Sequence, residues 1–210
     1  MPTLPELQGW CSRDRMAAYV RECAGCDELA VRLYEWNAEL AASFMEVIHH
    51  VEILLRNRMH DELTKSFPPN PCPWYEQNIF SGTAGPDSIM DAERLIVRRG
   101  RSVTPGRVVG SMSFGFWNAL FGHGYEPLWR ASLNRCFKPH GPSKRKDVST
   151  VTERMRLFRN RVAHHERLFH QDLRSRHDEL LKLAMWIDPD ARDWIAGRSS
   201  VLLILQNRPH

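Results

Sequence analysis

No run of this 210-residue chain stays apolar for the ~20 residues that a bilayer-spanning helix requires. The stretch from Met1 to Glu6 lacks the basic start and apolar segment of a signal peptide. The chain is therefore expected to be cytoplasmic, with no membrane partner. The alternation of apolar and polar residues that marks a half-buried strand is not sustained anywhere. H-E-x-x-H, a P-loop and G-x-G-x-x-G are all missing, so no metal or nucleotide motif is present. The five cysteines, Cys11, Cys23, Cys26, Cys72 and Cys136, are odd in number and scattered, which argues against a disulfide framework. Cys23 and Cys26 have the C-x-x-C spacing of zinc and redox sites, but no second pair accompanies them. His49 and His50 are neighbours that a helix turns to different faces, a poor chelating geometry. No metal and no cofactor is expected.

Lysine is scarce as well. Only five of the 29 Lys+Arg are lysines, which leaves 24 arginines. A net charge of +4 is mildly basic, which permits nucleic-acid contact without requiring it. Hydrophobic content of 42% with 26% charged residues is ordinary for a globular protein able to bury a core. Arg94, Arg98, Arg99 and Arg101 form one basic cluster, and Lys144, Arg145 and Lys146 another. Each is either a solvated helix end or an RNA contact.

Helical periodicity dominates. Residues 13–23 form a short helix, and Asp27 is placed to cap a long one running to about Phe67. Within that helix Leu33, Leu40, Phe44, Val47, Ile48, Val51, Leu54, Leu55 and Met59 recur at three- and four-residue steps. The prolines at 68, 69, 71 and 73 end it. Residues 81–86 read as a loop, 87–99 as a charged helix, and 112–121 as an aromatic core plug. One short helix is expected over 125–136. A helix opening at Ser143 or Asp147 carries the stripe Val148, Val151, Met155, Phe158 and Val162, and another runs from about Gln171 to Ile187. The expected fold is all-α, a single helical bundle of two long antiparallel helix pairs plus short helices. Residues 1–26 form an N-terminal extension and 82–142 a helical insertion with loops.

The most telling segment ends the second of these long patterns: Arg159-Asn160-Arg161-Val162-Ala163-His164-His165-Glu166-Arg167-Leu168. Arginine holds phosphate through a planar fork of donors. Histidine moves protons near neutral pH. Together they point to phosphodiester chemistry on RNA. Spacing alone is weak, since Arg followed five places on by His arises about once by chance in such a composition. Here it occurs at Arg159/His164 and also at Arg135/His140, where Lys138-Pro139-His140-Gly141-Pro142 reads as a loop.

At about 100° per residue, Arg159 sits at the edge of the buried stripe, whereas Asn160 and His164 share the exposed face. Arg161 and His165 make a similar pair on the other flank. Arg159 and His164 therefore do not share a face on a regular helix. Either the helix loosens near Ala163, or a second subunit completes the site. Glu52 is placed to pair with Arg56 one turn on, or else to orient Arg159 from the facing helix. Asn37 lies on an apolar face and needs a partner if buried, so it is placed to tie helices together near the site.

The same residues carry a resemblance. The R-N-x-x-A-H-H-x-R-L pattern of 159–168 resembles a segment of Abi-like (abortive-infection) proteins of the HEPN superfamily. So do Tyr34-Glu35-Trp36-Asn37 leading to Val51–Asn57, and Ser113–Trp117 followed by Leu128-Trp129. The likeness spans roughly residues 30–205. It implies a HEPN-like bundle and a metal-independent endoribonuclease acting in phage defence or as a toxin. It also implies a homodimer whose two motifs line one cleft, the second of the two options above. RNA is cleaved by attack of the 2′-OH on its own phosphate. His164 is then the acid or base, Arg159 stabilises charge on the phosphoryl oxygens, and Asn160 positions phosphate or His164. His165, Arg161, Glu52 and Asn37 support them. Arg56, Lys144, Arg145 and Lys146 are the candidate RNA contacts. The alternative is a non-catalytic RNA-binding or guard protein of the same fold, working with an antitoxin protein or a small RNA. A helical interaction protein unrelated to RNA is the third reading.

Overall fold

A computed structural model describes residues 1–69, 72–77 and 85–210. The described residues form eleven α-helices and no strand. The first helix, α1 (Leu4–Cys11), was not expected. It is set by Thr3, Pro5 at its start, and Glu6, whose carboxylate accepts from the Thr3 amide at 2.8 Å. Then comes α2 (Arg13–Glu22), where the Ser12 hydroxyl accepts from the Arg15 amide.

The backbone of the molecule is α3 (Asp27–Ser66), an unbroken helix of 40 residues. Asp27 is its first residue rather than its cap, which is Cys26. Its stripe from Ala30 through Phe44 and Val51 to Leu63 is buried. Pro68 and Pro69 follow its end, as expected. The loop read at 81–86 lies mostly outside the described residues. Beyond it run α4 (Gly85–Arg98), α5 (Pro105–Ser111), α6 (Phe114–Ala119) and α7 (Glu126–Ala131). The single helix expected over 125–136 is split, with 3-10 turns at His123–Tyr125 and Leu133–Phe137 on either side of α7. Phe116 and Trp117 from this region pack with Trp74, and Phe121 with Trp129 and Phe137, so the aromatic segment is core.

Four further helices complete the frame: α8 (Arg145–Ala163), α9 (Leu173–Ile187), α10 (Pro189–Arg198) and α11 (Val201–Gln206). The stripe on α8 is buried at Val148, Val151, Met155, Phe158 and Val162. Phe158 meets Phe44 edge-on with ring centres 4.8 Å apart. Arg159 contacts Glu52, and Leu168 beyond the helix end contacts Asn37, so α8 runs antiparallel to α3. The C-terminal segment is fastened by Trp36, whose indole donates to the Ile204 carbonyl at 2.7 Å. The frame is thus one long helix with α8 and α9 packed on it, not two matched pairs. A single continuous apolar stripe on α3 serves several partners along its length.

One buried group gives the fold a pH dependence. His177 is 3% exposed; its Nε2 lies 2.9 Å from the Ser199 hydroxyl, while its Nδ1 lies 4.0 Å from the Asp178 carboxylate and has no hydrogen-bond partner among the described residues. Burial holds the imidazole below its usual 6.5, opposed by Asp178 and reinforced by Arg174. Below about pH 6.5 the unfolded chain binds a proton that the folded chain resists. This stability is complete above that pH and is lost as pH falls through the window beneath it. Thermal unfolding should shift down between about pH 7.5 and 5.5, and His177→Gln should flatten that slope. An unchanged slope in the variant would assign the pH dependence elsewhere.

Candidate functional site

The segment 159–168 is helical only through its first half. α8 stops at Ala163, and His165 has φ 56°, in the left-handed region. The Glu166 amide donates to the Arg161 carbonyl at 3.0 Å, and the His165 amide to the Val162 carbonyl at 3.1 Å. This is the Schellman pattern of a helix end, with histidine where glycine is usual. An ion pair of 3.3 Å between Arg161 and Glu166 staples the two ends of the turn together. The His165 carbonyl, left outside the helix, accepts from Arg15 at 2.8 Å. The Leu168 amide donates 2.7 Å to Oδ1 of buried Asn37. Asn37 therefore ties α3 to the loop after α8 rather than to another helix.

The result is a cleft of about 510 Å³ between α2 and the end of α8. Arg15, Arg21, Arg161 and Arg167 line it with His164, His165 and His170, against two carboxylates, Asp14 and Glu166. Glu166 is spent on Arg161, and among the described residues Arg21 and Arg167 pair with no carboxylate. His164 and His165 are exposed. Tyr19 also lines the cleft, and among the described residues its buried hydroxyl has no hydrogen-bond partner. Burial pushes this phenol up, while Arg15 draws it back. Imidazoles for proton transfer thus stand among guanidinium groups that suit a phosphate.

The remaining expected residues fall elsewhere. Arg159 is bound to Glu52 at 3.2 Å, which decides between the two readings of that carboxylate: it pairs across helices, not with Arg56. Burial raises the Glu52 carboxyl above its ordinary value, while Arg159 opposes this. Arg56 instead reaches its neighbour Asn57. Neither Arg159 nor Asn160 lines the cleft that holds His164. Asn160 is half-buried, and its backbone carbonyl accepts from the His164 amide. Of the expected Arg159–Asn160–His164 group, His164 alone lines this cleft.

Arg145 is corrected from an RNA contact to an internal pin. It is 13% exposed, pairs with Glu126 at 2.7 Å and donates to the Phe121 carbonyl. Lys144 and Lys146 are exposed, but they sit at the opposite end of α8, roughly 28 Å from His164 by helical rise. Arg135 of the second Arg/His spacing is likewise committed, to buried Glu62 at 3.4 Å.

The residues that the sequence did not point to are Arg15, Tyr19 and Arg21 on α2, and His170 on the loop. From the N-terminal extension, Asp14, Arg15, Tyr19 and Arg21 thus line the cleft. Among the described residues no group of three or more His, Cys, Asp or Glu is placed to hold a metal ion. No helix among them is long and apolar enough to cross a membrane. Compared with known proteins, the chain matches no family model, no curated protein and no solved structure.

A left-handed histidine costs on the order of 1 kcal/mol that glycine would not. His165→Gly should stabilise the fold by about that much and at the same time weaken any anion binding in the cleft. Chemical denaturation checks the first effect. A destabilised glycine variant would mean that the His165 ring holds the turn.

Proposed function

We propose that this protein is an endoribonuclease that works without a metal, in a HEPN-like bundle, and serves in phage defence or as a toxin. The observation that carries the reading is the cleft at the end of α8, where three histidines stand among four arginines. His164 takes the proton from a ribose 2′-OH or delivers one to the leaving 5′-oxygen. The attacking oxygen closes a 2′,3′-cyclic phosphate, and the P–O5′ bond breaks to leave a 5′-OH. Arg161, Arg167, Arg15 and Arg21 neutralise the phosphate. DNA lacks the attacking hydroxyl and is not cut.

Arg159 enters from a second copy of the chain. Within one chain, freeing it from Glu52 leaves a half-buried carboxylate unpaired, which is costly. A homodimer that turns the Arg159 flank of one protomer toward the His164 cleft of the other supplies both groups without that loss. The experiment is incubation of the protein with RNA in excess EDTA, followed by mapping of fragment ends. Cyclic-phosphate ends support the reading; tight binding with no cleavage supports RNA binding alone. The separation of Arg159 from His164 within one chain is the feature that favours this second reading.

A further inference from the structure

Beside the cationic cleft lies a second one, of about 660 Å³. One wall is the outer face of α3, with Ala38, Ala41, Ala42 and Met45, and the other is the end of α8 at Ala163. These side chains are short or apolar, so the wall is smooth. Polar atoms gather at one end, where the Tyr34 hydroxyl lies 3.2 Å from the Cys11 thiol. Arg15 and His165 line both clefts and form the partition between them.

We infer that this groove receives a nucleobase of the RNA whose phosphate occupies the cationic cleft, an inference that rests on the RNA reading above. A nucleotide joins a flat, largely apolar ring with polar edges to an anion, and the two clefts offer that pair of environments across one shared wall. The volume falls within the ~300–1,000 Å³ of small-ligand pockets. The charge at the junction decides the occupant. Arg15 donates to the His165 carbonyl and lies 5.9 Å from the centre of the Tyr34 ring, and among the described residues it has no carboxylate partner. An apolar helix of another protein laid in the groove would cover that guanidinium without a counter-charge, which is costly. A nucleotide brings the counter-charge with it. The groove then selects by base, while the cationic cleft holds any backbone.

The test uses a tetranucleotide with 2′-O-methyl riboses, which has no free hydroxyl to attack, and the same backbone without bases. Ala38→Leu/Ala42→Leu fills the groove at two exposed helical positions that tolerate leucine. The wild type should bind the base-bearing probe about tenfold or more tighter than the abasic one. The variant should bind both alike, at the wild-type affinity for the abasic probe. Equal binding of both probes by the wild type overturns the groove assignment and leaves the phosphate cleft standing. So does a base preference that survives in the variant. A variant that changes oligomeric state and keeps its base preference marks the groove as a protein interface instead. Failure of both probes to bind at low salt overturns the phosphate reading and the groove with it.

Discussion

His164→Ala should lose RNA cleavage by a factor of about 10² to 10⁴, the range in which a positioned acid or base contributes. RNA affinity should change by less than about threefold, because the four arginines of the cleft remain. The fold should not suffer, since His164 is exposed and, among the described residues, its hydrogen bonds come from its backbone amide, which alanine keeps. Cleavage rate and RNA affinity measured on the same variant separate the roles. Loss of both in proportion would make His164 a binding residue, and loss of neither would remove it from the site.

The second large effect is a rescue. Arg159→Ala and His164→Ala chains should each be inactive as homodimers. In a mixed dimer one of the two composite sites keeps Arg159 from one chain and His164 from the other. Random mixing should therefore restore up to about a quarter of wild-type activity. If both groups act from one chain, every site in the mixture lacks one of them and no activity returns. The readout is cleavage by the two purified variants mixed and allowed to exchange subunits. Restoration also requires Arg159 to act while its α8 stays paired, through Glu52, to α3 of its own chain.

Much of the fold is legible because burial on a helix repeats every three to four residues. The stripe from Val148 to Val162 on α8, and the one on α3, follow directly from that period. Asn37, a polar residue on an apolar face, signalled a buried partner, and the Leu168 amide supplies it. Glu52 stood between a local and a distant arginine, and local spacing could not choose. The distant one is selected by packing of α8 on α3.

What was not legible follows from long-range placement and from backbone detail. Arg15 and His165 are 150 positions apart in sequence, and nothing near either announces their hydrogen bond. The end of α8 carries no glycine, so the periodicity gives no warning that His165 turns left-handed. Arg145 belongs to a cluster that reads as solvated, yet Glu126 and the Phe121 carbonyl draw it inward. The start of α1 is different: Thr3, Pro5 and Glu6 form a capping signature that is plain in the sequence, although too short an apolar pattern follows it to mark a helix by period.

The central claim, that RNA lies in the cleft at the end of α8, is tested most directly by charge reversal at two places. Arg21→Glu/Arg167→Glu alters the unpaired cations of the cleft, and Lys144→Glu/Lys146→Glu alters the far end of the same helix. RNA affinity is then measured for each across a series of salt concentrations. The cleft variant should lose affinity by more than about tenfold, with a salt slope shallower by roughly two counterions, while the far-end variant stays close to wild type. Equal losses in both variants, or a loss confined to the far end, would contradict the placement of RNA in this cleft.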